Sequence, residues 1–118
     1  MGIYVSIRGW LECDEQQLSA MNAIIAAHDD GHYSGGWATP RRPTAWTNYV
    51  FYGADIRESA VDWFLEGLRE IAQIPASDED NDRVTGLFLA SHEINGTSEW
   101  QVHDGQVVIT PGDDRWSR

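Results

Sequence analysis

The stretch from Thr85 to Thr110 constrains the fold more than any other, because two dipeptides, Asn95-Gly96 and Asp104-Gly105, punctuate three strand-like runs. Both dipeptides tolerate the positive φ angles of a type I′ turn, whose twist matches that of the strands it joins. The stretch therefore reads as a three-stranded antiparallel meander. Two-residue turns then fix a register. Ile94 faces Thr97, His92 faces Glu99, Ser91 faces Trp100 and Leu89 faces Val102, while in the second hairpin Val102 faces Val107 and Trp100 faces Ile109. In that register one side presents Leu87, Leu89, Ser91, Trp100, Val102, Val107 and Ile109, a core face. The other presents Phe88, Ala90, His92, Ile94, Glu99, Gln101, His103, Gln106 and Val108. That second face is too polar for a dry core and more apolar than a solvated sheet needs.

Upstream, Ile3, Val5 and Ile7 alternate with Tyr4, Ser6 and Arg8, the period of a strand with one buried side, and Trp10 continues the side of Tyr4. Asp14 and Gln17 have capping-box spacing, and Leu18, Met21, Ile24, Ile25 and His28 recur at helical spacing, which predicts a helix from Glu15 to Asp29 ended by Gly31. His32 to Pro43 is rich in Gly and Pro and reads as an irregular loop with a short strand at Gly36–Thr39. Ala45 to Gly53 is aromatic and β-branched, a further strand. Asp55 with Glu58 resembles a second helix start, and Val61, Phe64, Leu65, Leu68, Ile71 and Ala72 form the stripe of a helix ending before Pro75. Ser77 to Arg83 is an acidic connector. The expected whole is an α+β domain over residues 1–110, with two helices packed on one face of a mixed or antiparallel sheet. A ferredoxin-like arrangement with the C-terminal three-stranded meander fits the order of elements, and 111–118 reads as a flexible tail with Trp116 its only apolar anchor.

The 118 residues suit one domain with one two-layer core. No run is long and apolar enough to span a bilayer, and the opening residues lack a secretory pattern, so the cytoplasm is the expected location and no membrane partner is expected. Cys13 is alone and cannot form an intrachain disulfide; at the start of a helix its thiol pKa is expected to fall. Nineteen acidic residues stand against eight basic ones, all of them Arg, for a net charge of −11. Phosphate recognition needs clustered positive charge, so nucleic acid is a poor partner, whereas a basic protein is favoured by the same field. The plain alternative is an acidic surface that serves solubility alone.

Four constellations bear on chemistry. His28 and His32 flank two carboxylates at metal-ligand spacing, but Gly31 should end the helix between them, so a capped helix terminus accounts for them without a metal. Asp78, Asp80 and Asp82 alternate like a calcium loop, yet Arg83 replaces the turn glycine and Leu89 the final glutamate, so a solvated acidic loop is the better reading. His92 opposite Glu99, with His103 nearby, would suit a general base and its orienting carboxylate if a cleft formed there. Tyr33, Trp37 and Trp46 surround Arg41 and Arg42 in the Gly/Pro-rich loop, where aromatics and guanidinium groups could contact a ligand or simply pin the loop to the sheet. No phosphate-binding loop, nucleophile elbow or paired-cysteine site is present, and no cofactor is expected.

The reading that follows is a small acidic protein-binding module without catalysis. It would use the aromatic, polar sheet face around Trp10, Phe88, His92, Glu99 and His103 to pair with a second copy as a homodimer or to bind a basic protein, in the manner of an inhibitor or immunity protein. The rival is a ligand-binding protein or enzyme with a pocket between the 33–46 loop and the His92/Glu99 face.

Overall fold

The computed structural model describes residues 2–40 and 46–117. Arg41 and Arg42, with Pro43, Thr44 and Ala45, lie outside the described residues. The chain runs β1 (Tyr4–Cys13), α1 (Glu15–Ala27), a 3-10 turn (Tyr33–Gly36), β2 (Trp37–Ala38), β3 (Asn48–Arg57), a second 3-10 turn (Glu58–Ala60) and α2 (Val61–Ala72). It continues with β4 (Thr85–His92), β5 (Gly96–His103), β6 (Gln106–Pro111) and a final 3-10 turn (Asp114–Trp116). The fold is α+β. Among the described residues six strands form one sheet in the order β2-β3-β1-β4-β5-β6 in which every neighbouring pair is antiparallel. Among the described residues no helix is long and apolar enough to cross a membrane.

Alternation in β1 decides which side the helices cover. Val5, Ile7, Leu11 and Cys13 are buried, and their cross-strand partners Val50, Ile56 and Ala90, with Phe88 opposite Gly9, join them in one core with Met21 of α1 and Phe64, Leu65, Leu68 and Ile71 of α2. Phe64 is the hub of its aromatic part, with ring centroids 4.6 Å from Tyr52, 5.7 Å from Phe88 and 6.0 Å from Trp100. Each large side chain fully removed from water there contributes about 1.5–3 kcal/mol. Gly9 makes room for Phe88: a Cβ at Gly9 would lie 2.6 Å from the Phe88 ring and 2.2 Å from the Leu87 carbonyl oxygen.

The capping box at α1 forms as expected, Asp14 accepting from the Gln17 amide at 2.8 Å and Gln17 Oε1 accepting from the Asp14 amide at 3.0 Å. The second expected start does not. β3 continues to Arg57, because Ile56 is buried while Asp55 and Arg57 point outward, and Asp55 accepts from the Ser6 hydroxyl at 2.5 Å rather than capping a helix. α2 begins after the 3-10 turn with no side-chain cap. Gly31 adopts φ +69° just beyond α1, as its position predicts.

The two hairpins differ, and the difference reorders the faces. Asp104 and Gly105 take φ +51° and +80°, both positive, as a two-residue type I′ turn requires, and the expected pairs Val102–Val107 and Trp100–Ile109 form. At the first hairpin only Gly96 is positive, at +82°, and it lies in the strand: Glu93, Ile94 and Asn95 form a three-residue loop closed by His92 opposite Gly96. Thr97 therefore faces Ser91 instead of Ile94, a slip of three residues. An odd slip turns every β4 side chain to the opposite face. Phe88, Ala90 and His92 accordingly share the helix side with Trp100 and Val102, whereas Leu87, Leu89 and Ser91 join the open side with Glu99 and Gln101. His92 itself holds the loop in this form. Its Nδ1 accepts from the Ile94 and Asn95 amides, both at 3.0 Å, and its Nε2 meets the Glu58 carboxylate.

Candidate binding face

Register places the open-face residues in rows across the sheet. One row is Phe51, Trp10, Leu87, Gln101 and Val108, and the next holds Arg8, Leu89, Glu99 and Thr110. Below them come Asp55, Ser6, Ser91 and Thr97. The face thus has an aromatic half and a hydroxyl-rich half. The first is supplied by β1 and β3, whose Trp10, Tyr49 and Phe51 all fall on the side away from the helices.

In the hydroxyl-rich half the side chains satisfy one another. Arg8 Nη2 donates to Ser91 Oγ at 3.1 Å and to the Trp116 carbonyl at 2.7 Å; Ser91 Oγ also donates to that carbonyl at 2.8 Å, and Thr97 pairs with the Ser117 hydroxyl at 2.8 Å. Residues 112–117, expected as a loose tail, are held here by backbone and side-chain bonds, beginning with the Gly112 amide to the Thr97 carbonyl at 2.9 Å. The Arg57 guanidinium sits 5.8 Å from the centre of the Tyr4 ring. Both arginines of the described open face are therefore committed at this end.

The aromatic half is left open. Trp10, Glu12, Thr85, Leu87, Glu99, Gln101 and His103 line a shallow groove of about 390 Å³. Trp10 Nε1 donates to Glu12 at 2.9 Å and Gln101 Nε2 donates to Glu99 at 3.0 Å, so both carboxylates are held at its rim. Tyr49 and Phe51 stack alongside with centroids 6.3 Å apart at 16°, and Phe51 is 43% exposed. An apolar floor with fixed carboxylates at the margin suits a ligand that carries both apolar surface and positive charge.

The remaining sequence candidates disperse. Phe88, expected on the open face, is fully buried and belongs to the core. His92 lies on the helix side and pairs with Glu58, so the expected His92–Glu99 pair does not exist: the two residues occupy opposite faces, and no pocket can use both. Trp37 stacks on Phe64 at 5.6 Å and 11° and pins its short strand to the helix side, while Tyr33 accepts from the Tyr52 hydroxyl through its carbonyl at 2.8 Å and from the Arg57 amide through its own hydroxyl at 3.2 Å. Trp46 is 96% exposed beside Glu12, Asp14, Asp78 and Asp82. His103 stays on the open face, half-exposed, bonded to its neighbour Asp104 at 3.0 Å.

The chain matches no known family, curated protein or solved structure. Residue chemistry alone therefore carries the assignment. His28 closes α1 and joins Glu70 of α2 at 2.7 Å, while His32 packs its ring on Tyr33 at 4.4 Å; each imidazole has a separate structural partner. Asp78, Asp80 and Asp82 bring carboxylate oxygens within 4.8 Å of one another, and all three residues are exposed on the connector. Burial, reinforced by the Asp14 charge, pushes the Cys13 thiol up to about 11, opposite to the lowering expected at a helix start. Its S–H points to the Asn48 carbonyl at 3.9 Å, and at neutral pH the thiol is neutral and a poor nucleophile.

Sequence reasoning missed Leu87 in the groove and Leu89 beside it on the open face. The signal that finds them is the helix stripe: Phe88 is the bulkiest apolar β4 residue, and placing it opposite Trp100 fills the core that α2 leaves around Phe64.

Proposed function

We propose that this protein is a non-catalytic binding module whose aromatic half-sheet, centred on Trp10, Phe51, Leu87 and Leu89, receives a basic protein partner. The observation that carries this reading is the combination of an apolar floor with hydrogen-bonded carboxylates, Glu12 and Glu99, on a face whose arginines are engaged elsewhere. A net charge of −11 supports a basic partner over face-to-face pairing of two copies, which would bring like carboxylates together. We also read the β1-α1-β2-β3-α2-β4 unit as ferredoxin-like, with β5 and β6 added at one edge. The strand order β2-β3-β1-β4 supports that reading. In such an arrangement both helices occupy one face and leave the other for recognition.

The test is an NMR titration with a short peptide of alternating arginine and tryptophan, and with its glutamate counterpart as control. The reading expects saturable shifts at the Trp10 indole N–H and at the amides of Leu87, Glu99 and Gln101 with the cationic peptide alone, weakening as salt is raised. Shifts confined to the Asp78–Asp82 connector, or equal binding of the two peptides, would sink it.

A further inference from the structure

We infer that the outer edge of β6 is a self-association site, where two copies of this chain join their sheets strand to strand. The hairpin register sets which backbone groups of β6 face outward. The two-residue turn makes His103 and Gln106 a hydrogen-bonded pair, and the Gly112 amide donates to Thr97 at 2.9 Å in the same register. Gln106, Val108, Thr110 and Gly112 therefore turn their amides toward β5. Val107 and Ile109 turn theirs away from the sheet, and β6 is the last strand in the order.

Edge strands are ordinarily blunted by shortness, charge or proline. The opposite edge, β2, is two residues long and followed by Pro40. β6 is six residues long, and from Gly105 to Gly112 it carries no charge, in a chain with 27 charged side chains, 19 acidic and eight basic. It is built of Val, Val, Ile and Thr, strong strand formers. Ile109 is 47% exposed on the helix side, and the C-terminal segment turns inward over the sheet toward Ser91 and Arg8 instead of covering the edge. Pro111 occupies the next outward position, where it lacks an amide and so ends the run that can pair.

These features are self-complementary. With a two-fold axis through Val108, Val107 faces Ile109 of the partner subunit, Ile109 faces the partner's Val107, and all the outward amides and carbonyls of those residues are satisfied. Shifting by one pair either way sets Pro111 or the turn opposite an outward amide and loses bonds. Because the edge strand itself is neutral, this contact brings no carboxylates face to face; only the overall charge of −11 on each copy opposes it, and the Trp10 groove stays free. The two associations respond oppositely to salt: screening the negative charge of both copies strengthens edge pairing, whereas it weakens capture of a basic partner.

Sedimentation equilibrium of the full chain at rising concentration and salt tests the inference. The expected result is a reversible monomer–dimer equilibrium that tightens with salt, with exchange of the Val107 amide at least tenfold slower in the dimer. Ile109→Pro, which takes away an outward amide, and Ile109→Lys, which puts a charge on the exposed edge, should each abolish the dimer with unchanged circular dichroism, while Phe51→Ala should leave it intact. A chain that stays monomeric at millimolar concentration, a dimer that survives both edge variants, or one dissolved by Phe51→Ala would overturn the inference, whatever the outcome of the peptide titration.

Discussion

The helix side and the open side of the sheet are lined by similar apolar residues and differ in what covers them. Ile7, Leu11, Val50, Ile56 and Phe88 are closed from water by α1 and α2, whereas Trp10, Leu87 and Leu89 stay part-exposed and Phe51 is 43% exposed. Hydrophobicity along a strand therefore identifies two sets of residues but not their tasks. Coverage by the helices assigns stability to one set and leaves the other open, where the proposed recognition face lies.

Mutation should separate the two sets, most strongly where adjacent residues point to opposite sides. Phe88→Ala should lower unfolding free energy by about 3–5 kcal/mol in urea denaturation, since it empties the space between Phe64 and Trp100. Its neighbour Leu89→Ala should cost about 1 kcal/mol, in proportion to its partial burial; comparable losses at both positions would erase the distinction between faces. Gly9→Ala should cost about 1–3 kcal/mol, although it adds one methyl group, because that group would press on the Leu87 carbonyl oxygen and on Phe88.

A smaller effect concerns the buried side alone. Ellman's reagent at pH 8 should modify Cys13 at least tenfold more slowly in the folded protein than in urea, because burial disfavours the thiolate. The raised pKa, about 11 against 9.0 for the free group, means that this contribution to stability is whole below pH 9 and is lost as pH rises toward 11. Fast modification at pH 8 would show that the β1 end of the core is open.

The smallest effect lies outside both faces, in the segment after α1. The Ser34 hydroxyl and the Gly31 amide hold the Asp29 carboxyl below its usual range. At Asp30 desolvation is the largest single influence and pushes upward, but the Ser34, His32 and Tyr33 amides together with the Ser34 hydroxyl outweigh it and bring the group to about 2. Depressed carboxylates contribute stability above their unfolded value of 3.8 and lose it as pH falls toward 2. Protection of the Gly31, His32 and Ser34 amides, measured against their intrinsic exchange rates at each pH, should therefore fall across that window before the sheet is affected.

Much of the architecture was legible because it rests on local signals. The β1 alternation, the Asp14/Gln17 box, the α2 stripe and the Asp104-Gly105 turn each appear where residue chemistry puts them. The β4 facing was not legible, because Asn95-Gly96 satisfies two loop geometries and the choice is made by contacts distant in sequence: His92 binding Glu58 and the loop amides, and Phe88 filling the space above Gly9. The same slip explains the candidate site. Trp10, Glu99 and His103 remained together because β1 and the second hairpin were read in the right parity, and Phe88 and His92 left the face because the first hairpin was not.

The division of labour between the two faces is tested most directly by measuring, on one variant, both affinity for the alternating arginine–tryptophan peptide and thermal midpoint. Trp10→Ala should bind at least tenfold more weakly while melting within a few degrees of the parent chain, the behaviour of a recognition residue. Undiminished binding, or a weakening that accompanies general loss of the fold, would contradict it.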